Sequence, residues 1–135
     1  YNGRYSDIYV GRTALESPYA FFCNQFSGAS GYEFGKDSFE IMVKSWHGRR
    51  PMAVGTGSES AIAEALLAHL GLRRYFDAVV AADHVKHHKP APDTFLLCAQ
   101  RMGVQPTQCV VFEDADFGIQ AARAAGMDAV DVRLL

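Results

Sequence analysis

The chain has 135 residues, of which 49% are hydrophobic and 21% are charged, as expected for one globular domain with a buried core. The 13 Lys and Arg against 15 Asp and Glu give a formal net charge of -2, without long runs of one sign. This balance argues against nucleic acid or a membrane surface as a partner and favours a small molecule.

The cysteines at positions 23, 98 and 109 are widely spaced and form no CxxC or Cys/His cluster. Free thiols are therefore expected rather than a disulfide framework or a zinc site. No apolar run approaches the roughly 20 residues of a membrane-spanning helix, and the first residues lack the apolar stretch of a signal peptide. These features predict a cytoplasmic protein.

Two zones differ in character near the start of the chain. Residues 17–35 mix aromatic residues with Gly, Ser and Asn in no clear period, which predicts an irregular connection. From Asp37 a helical spacing of apolar residues begins, with Glu40 completing a capping box, and it ends at Gly48. An amphipathic helix is therefore predicted over 37–48.

Beyond this helix, apolar runs and helical periodicity alternate along the chain. The apolar runs predict strands at 52–54, 78–83, 109–112 and 128–132. The periodic segments predict helices at 61–70, 92–102 and 117–125, each followed by a glycine. Alternation of this kind predicts an α/β fold with a parallel sheet buried on both faces. Ligands in such sheets bind beyond the carboxyl ends of the strands, so the residues after each strand are the candidates for function.

The first candidate group follows the strand at 52–54. Thr56 lies there between Gly55 and Gly57, and Ser58 follows. Backbone N–H groups, a hydroxyl and a helix N-terminus together favour an anion, which predicts a phosphate pocket. The alternative is that Ser58 only caps the helix that begins near it.

The second candidate is Lys89, in the sequence HHKPAPDTF after the strand at 78–83. Pro90 and Pro92 stiffen the backbone around it and present the lysine at a fixed place. A lysine in a polar loop is usually only solvated. At the carboxyl end of a strand it becomes a candidate for neutralising phosphoryl oxygens.

The third candidate group is acidic. Glu113, Asp114 and Asp116 follow the strand at 109–112 within four positions. Oxygen-rich clusters suit Mg²⁺, which makes these residues candidate metal ligands. The alternative is that acids at a helix N-terminus only interact favourably with the helix dipole.

Together, AVGTGS, KPAPDTF and VVFEDADFGIQAARAAG resemble motifs II, III and IV of the haloacid dehalogenase superfamily, in order and spacing. The resemblance covers about residues 43–135 and is closest to the sugar phosphatases of the β-phosphoglucomutase-like group. It implies a Rossmann-like three-layer core and a hydrolase that cleaves small sugar phosphates with Mg²⁺ through an aspartyl-phosphate. The implied site residues are Thr56 and Lys89 for catalysis and phosphate binding, Gly57 and Ser58 for phosphate binding, and Asp114 and Glu113 for the metal.

The family's first motif, DxDGT, which supplies the nucleophile and the general acid/base, does not occur in this sequence. In the nearest match, RYSDIYVGRTALES, anchoring Thr13 on the motif puts Tyr9 and Gly11 at those two positions, and neither can perform that chemistry. Asp7 would lie about 6–7 Å further along a strand, too far for in-line attack. The family's metal also takes ligands from this motif, so a weakened Mg²⁺ site is expected.

Three hypotheses about activity follow. The chain is an active phosphatase whose nucleophile is an unexpected residue or comes from another chain. Alternatively, it is a folded non-catalytic relative in which residues 5–10 supply a replacement first strand. In the third hypothesis residues 1–42 are a foreign segment joined to the C-terminal part of the core, 43–135, as in a recombined or engineered chimera. We rank the third slightly above the second, because little in residues 1–42 resembles the family.

The presence of only the C-terminal part of the core, 43–135, has two further consequences. About twenty irregular residues before Asp37 cannot build the helical cap domain that the family usually inserts there, so the cap is expected to be absent or vestigial. Without a strand in the central place, unpaired edges of neighbouring strands would pair with another chain, which predicts a homodimer. The expected ligand is a small phosphorylated substrate or phosphate ion.

Overall fold

The computed structural model describes residues 19–23, 40 and 43–134. Five strands of this part of the chain form one sheet: β1 (Tyr19–Cys23), β2 (Met52–Gly55), β3 (Ala78–Val80), β4 (Cys109–Glu113) and β5 (Asp128–Asp131). All neighbouring strands are parallel, and their order across the sheet is β3-β2-β1-β4-β5. Three helices connect them: α1 (Ser60–His69), α2 (Asp93–Met102) and α3 (Asp116–Ala124). The predicted α/β fold with a parallel sheet is confirmed, and its strand order is that of a Rossmann-like sheet.

The sheet is covered on both faces. On one face, Val54 and Phe112 pack in a cluster with Leu67 of α1 and with Val43 and Trp46 of the helical segment 43–46. On the other face, a second cluster joins the sheet to α2 and α3 and has Phe95 among its members. All residues of β2 and β4 are buried, which explains why these strands are continuous apolar runs without alternation. The structure therefore has the expected three layers.

The centre of the sheet differs from the prediction. β1 lies inside the segment 17–35 that was predicted to be irregular, and that prediction is wrong at residues 19–23. β1 pairs with β2 on one side and with β4 on the other. It therefore occupies the central place that the hypothesis of a non-catalytic relative gave to residues 5–10. Residues 5–10 themselves lie outside the described residues.

This pairing also removes the basis of the predicted dimer. The prediction required unpaired edges of β2 and β4 at a central gap, and both edges are paired with β1. Homodimerisation stays a prediction without that support. Among the described residues, the helices are too short or too polar to span a lipid bilayer.

The other predicted elements agree closely with the structure. Residues 40 and 43–46 are helical, and Gly48 ends this helix at a φ of 78°, whereas its predicted start at Asp37 lies outside the described residues. The predicted strand at 78–83 is shorter, because β3 ends at Val80 and Ala82–His84 form a turn of 3-10 helix. The turn of 3-10 helix that follows β3 carries Asp83, which contacts the N-terminus of α1.

The N-terminus of α1 is capped by Asp83 and not by Ser58, the residue that the alternative interpretation of AVGTGS named. The N-cap residue is Glu59, whose side chain makes no capping hydrogen bond. The amide of Ser60 donates to Asp83 Oδ1 at 2.7 Å, and its hydroxyl donates to Oδ2 at 2.5 Å. The hydroxyl bond, followed by the amide bond, lowers the pKa of Asp83. The ionised carboxylate therefore stabilises the helix start.

Asp83→Asn is expected to lower the stability of the chain at neutral pH. Because the folded-state pKa of Asp83 lies below its usual value of 3.8, its contribution is complete above that value and is lost as pH falls through the lowered folded-state pKa. Urea denaturation between pH 7 and pH 3 measures this dependence. Glu59→Gln is the control, since it removes one charge at the same helix end without removing a capping bond. Equal losses in the two variants, or a deficit of Asp83→Asn that grows in acid, would contradict the assignment.

Candidate active site

The three candidate groups meet at the carboxyl edge of the sheet. Thr56 directly follows β2, Glu113 ends β4, and Lys89 lies in the loop between β3 and α2. Lys89 Nζ donates to the carbonyl oxygen of Gly55 at 3.1 Å and to Glu113 Oε2 at 3.0 Å. Residues that are 24 and 34 positions apart in the chain therefore form one cluster. Their chemical roles stay predictions.

The Thr56 side chain is set to donate a hydrogen bond. The residue is only 1% exposed, and its amide donates to Val80 O at 2.9 Å. Its Oγ1 accepts a hydrogen bond from the amide of Ser58 at 2.9 Å. A hydroxyl has one proton to donate as well as lone pairs, and no described residue accepts that proton. The geometry leaves Thr56 able to donate to an anion.

The two residues after Thr56 differ in what they can offer. The amide of Gly57 has no hydrogen-bond partner within the described parts of the chain. The amide of Ser58 is used by Thr56, and the Ser58 carbonyl accepts from Ala82 N at 2.9 Å. Of the two predicted backbone donors for phosphate, Gly57 is therefore the better placed.

Lys89 is held in place by both polar and aromatic contacts. Its side chain is 14% exposed, and its Nζ lies 4.8 Å from the centre of the Phe95 ring. An ammonium group has three N–H donors, and the structure assigns acceptors to two of them, Gly55 O and Glu113 Oε2. One donor of a nearly buried cation is left for a ligand beside Thr56.

Glu113 is a fixed, buried carboxylate. Its side chain is 1% exposed; Oε2 accepts from Lys89, and Oε1 accepts from the amides of Asp114 at 2.9 Å and Ala115 at 3.2 Å. Gly118, in the first turn of α3, makes room for it. A Cβ at position 118 would lie 2.0 Å from Glu113 Cδ. Glu113 is therefore engaged in neutralising Lys89.

The predicted metal ligands are only partly assembled. Asp114 follows β4 and is half-buried, but Asp116 is turned away, with a side chain 77% exposed and Oδ1 2.6 Å from Arg133 Nη2. In the described part of the chain, no three His, Cys, Asp or Glu side chains come together as a potential metal site. These residues alone therefore do not fit a complete Mg²⁺ centre, and Asp114 and Glu113 stay predicted ligands.

The described cysteines do not supply a replacement nucleophile. Cys98 and Cys109 are both free and buried, as expected for thiols outside a disulfide framework. Burial raises the pKa of each thiol to about 12. Both are therefore protonated at neutral pH, and neither is a reactive thiolate.

Sequence reasoning missed two residues that shape this cluster. Phe95 places its ring against Lys89, and nothing in the apolar period of α2 distinguishes it from an ordinary core residue. Gly118 did carry a signal, because a glycine inside a helical pattern often marks a close approach of another group. Here the group approaching is the carboxylate of Glu113.

Comparison with known proteins identifies the family. A model of haloacid dehalogenase-like hydrolases matches residues 29–126. The chain belongs to the haloacid dehalogenase-like hydrolase family. It is similar to fructose-1-phosphate phosphatase YqaB of Escherichia coli (strain K12), with 98% identity over 94 residues that cover 70% of this chain and 50% of that protein.

Two further relatives have names that refer to phosphorylated sugars. A phosphorylated carbohydrates phosphatase of Thermotoga maritima is 39% identical over 65% of this chain and 40% of that protein. The crystal structure of β-phosphoglucomutase from Clostridium difficile matches with a TM-score of 0.60 and 36% identity, over 70% of this chain and 41% of that chain. The chain spans about half the length of the curated relatives it matches. Members of this family generally use Mg²⁺.

Proposed function

We propose that this chain binds the phosphate group of small sugar phosphates at the carboxyl ends of β2 and β4, with little or no hydrolysis. The position of Lys89 carries the proposal. Its ammonium group lies between Gly55 O and Glu113 Oε2, next to Thr56, with one N–H left to donate. The sugar-phosphate class is supported by the names of the relatives, a fructose-1-phosphate phosphatase and a phosphorylated carbohydrates phosphatase.

Three donors would receive the phosphate oxygens. The Thr56 hydroxyl and the Gly57 amide lie at the turn after β2, close to the N-terminus of α1, where an anion is favoured. Lys89 adds a positively charged donor, whose ion-pair partner is Glu113 at 3.0 Å. The site is nearly buried, and charge-assisted hydrogen bonds are stronger there than in water. The pocket is therefore suited to holding a phosphoryl group in one orientation.

Binding of the phosphate group is not sufficient for hydrolysis of a phosphate ester. The reaction also requires a nucleophile in line with the leaving group, and the 135 residues contain no DxDGT motif. Glu113 cannot substitute for it, because both of its oxygens are engaged by Lys89 and by backbone amides. We place Mg²⁺ at Asp114 as a weak site, since the described residues supply too few ligands for a complete one.

The alternative is a non-catalytic folded chimera in which residues 1–42 are foreign to a phosphatase half. The Escherichia coli relative supports a foreign segment, because the 98% identity extends over 94 of the 135 residues. The family match begins at residue 29, so within 1–42 it leaves residues 1–28 unmatched. Both readings predict a phosphate pocket without efficient turnover. They differ in the origin of the first 42 residues and not in the chemistry of the site.

Release of phosphate from fructose 1-phosphate in the presence of Mg²⁺ tests the lack of hydrolysis. We expect no release above the uncatalysed background at high concentrations of the chain, and the same background for Asp114→Ala. Turnover in the parent chain that is lost in Asp114→Ala would show that the chain is an active phosphatase and would overturn this part of the proposal.

Thr56→Val tests the pocket itself. The change keeps the shape of the side chain and removes the hydroxyl, so we expect phosphate binding to weaken roughly tenfold, as for the loss of one hydrogen bond to a charged group. Isothermal titration with fructose 1-phosphate measures the effect. Thr107→Val is the control, because Thr107 is exposed and lies before β4, at the other end of that strand. Equal affinities of the two variants would contradict the role of Thr56.

A further inference from the structure

A second concentration of positive charge lies at the opposite edge of the sheet. A groove of about 320 Å³ has as its main lining residues His47, Arg49, Arg50, Arg74, Tyr75 and Asp77. Pro51 and Asp77 directly precede β2 and β3, so the groove is at the amino ends of these strands. Thr56 and Lys89 follow the carboxyl ends of the same two strands. The two places are therefore separate, and the volume is within the range of small-molecule sites, roughly 300–1,000 Å³.

Among the described residues, the positive charge of the groove is not balanced by ion pairs. Arg49, Arg50 and Arg74 line it, and none of them forms an ion pair within the part of the chain that the structure describes. Asp77 is the acid among the lining residues, and its Oδ2 accepts from the amide of Met52 at 2.9 Å. In contrast, Arg73 pairs with Glu64 at 2.6 Å. A chain with a net charge of -2 therefore concentrates three guanidinium groups in one groove.

Aromatic rings hold these guanidinium groups in place. The guanidinium carbons of Arg49 and Arg50 lie 5.0 and 5.7 Å from the centre of the Trp46 ring, and that of Arg74 lies 4.9 Å from the Tyr75 ring. Contact with a ring face orients the planar group while leaving N–H donors along its edge. The guanidinium groups are thus oriented before a ligand arrives.

One donor in the groove is buried without an acceptor. Nε of Arg50 is inaccessible to solvent and makes no hydrogen bond to any described residue. A buried donor in this state is unfavourable, and a shift of the Arg50 side chain toward the groove would be needed to pair it with an anion. Arg50 Nη1 is already directed to the carbonyl oxygen of Arg49 at 2.8 Å.

We propose that this groove is a second anion site, which binds a phosphate group carried by inorganic phosphate or by a small organic phosphate ester. The N–H groups along one edge of a guanidinium group can donate two parallel hydrogen bonds to phosphate oxygens. Three guanidinium groups and one carboxylate line the groove, so a phosphate dianion would balance its excess positive charge. The groove is separate from the proposed phosphate pocket at the carboxyl ends of β2 and β4, because its lining does not include Thr56, Gly57, Ser58 or Lys89.

Trp46 reports on this groove selectively. It is the one tryptophan of the sequence, and two of the three arginines lie over its ring. Titration of the full chain with inorganic phosphate at constant ionic strength should give a saturable change in tryptophan fluorescence. Fructose 1-phosphate is the second arm: an affinity equal to that of inorganic phosphate means that the phosphate group alone is recognised, and a tighter one means that the groove also recognises the sugar. Both results support the site.

Arg74→Gln is the test variant, because Arg74 is exposed and contacts Tyr75 rather than Trp46. It should weaken the fluorescence-detected affinity about tenfold, the effect of losing a charged hydrogen-bond donor. Arg123→Gln, at an exposed position of α3, and Thr56→Val should keep the parent affinity. Arg49→Gln provides a second variant at the groove. The proposal is overturned if neither ligand gives a saturable change, if chloride reproduces the change, or if Arg74→Gln binds like the parent.

Discussion

Lys89→Met is expected to destabilise the chain by about 3–5 kcal/mol, because removing one partner of a buried ion pair leaves the other charge uncompensated. Glu113 is 1% exposed and faces Lys89 Nζ at 3.0 Å. A loss of this size is a large part of the total stability of an ordinary domain, about 5–15 kcal/mol. Urea denaturation at pH 7, followed by circular dichroism, measures it.

The double variant Lys89→Met/Glu113→Gln separates the ion pair from the packing of the lysine. Once the carboxylate is neutral, methionine in place of Lys89 no longer leaves a buried charge, so the double variant should regain much of the lost stability. Lys44→Met is the matched control, since it removes the lysine of an exposed pair with Glu40 at 2.8 Å, and it should change stability little. If Lys89→Met behaves like Lys44→Met, the buried pair does not stabilise the site.

Gly118→Ala should reduce stability by about 1–3 kcal/mol, as expected for forcing extra volume into a packed interior. The added Cβ would lie 2.0 Å from Glu113 Cδ and Oε2, and Glu113 is held by Lys89 and by two backbone amides. In an open helix the same change would be stabilising by roughly 0.5–1 kcal/mol. The two effects have opposite signs, so the sign of the measured change decides between them.

Gly57→Ala is the control for this substitution, because a Cβ at position 57 meets nothing within 4 Å. It should leave the urea midpoint nearly unchanged. Gly118→Ala should also weaken phosphate binding, since moving Glu113 moves the partner of Lys89. A Gly118→Ala variant that is as stable as the parent, or more stable, would contradict the close contact between α3 and Glu113.

The parts of the fold that sequence patterns predicted are those with local signals. The sequence predicted β2, β4, β5 and the three helices to within a few residues. Apolar runs and the glycines that end helices are features of adjacent residues, so they can be recognised without knowledge of the fold. β1 was missed for a physical reason. A short strand between two parallel neighbours shows no alternation, and Tyr19–Cys23 is followed closely by Asn, Gln, Ser and Gly, which favour loops.

The contacts that shape the site are non-local, and the sequence indicated only their approximate place. The rule that ligands bind at the carboxyl ends of strands brought Thr56, Lys89 and Glu113 to one edge. It did not predict that Glu113, a candidate metal ligand, would be the partner of Lys89. In the same way Asp83 caps a helix that begins 23 positions earlier in the chain, where capping rules consider only adjacent residues.

The proposed pocket holds the phosphate group at the end of β2 without releasing it from its ester. Amide nitrogen–proton NMR spectra of the chain, recorded together with a phosphorus-31 time course of fructose 1-phosphate, test both parts of this proposal. We expect saturable shifts of the Thr56, Gly57 and Ser58 amides, saturation at roughly tenfold higher ligand concentration in Thr56→Val, and ester signals that persist for hours. Unmoved amides at these positions, or steady conversion of the ester to inorganic phosphate, would contradict it.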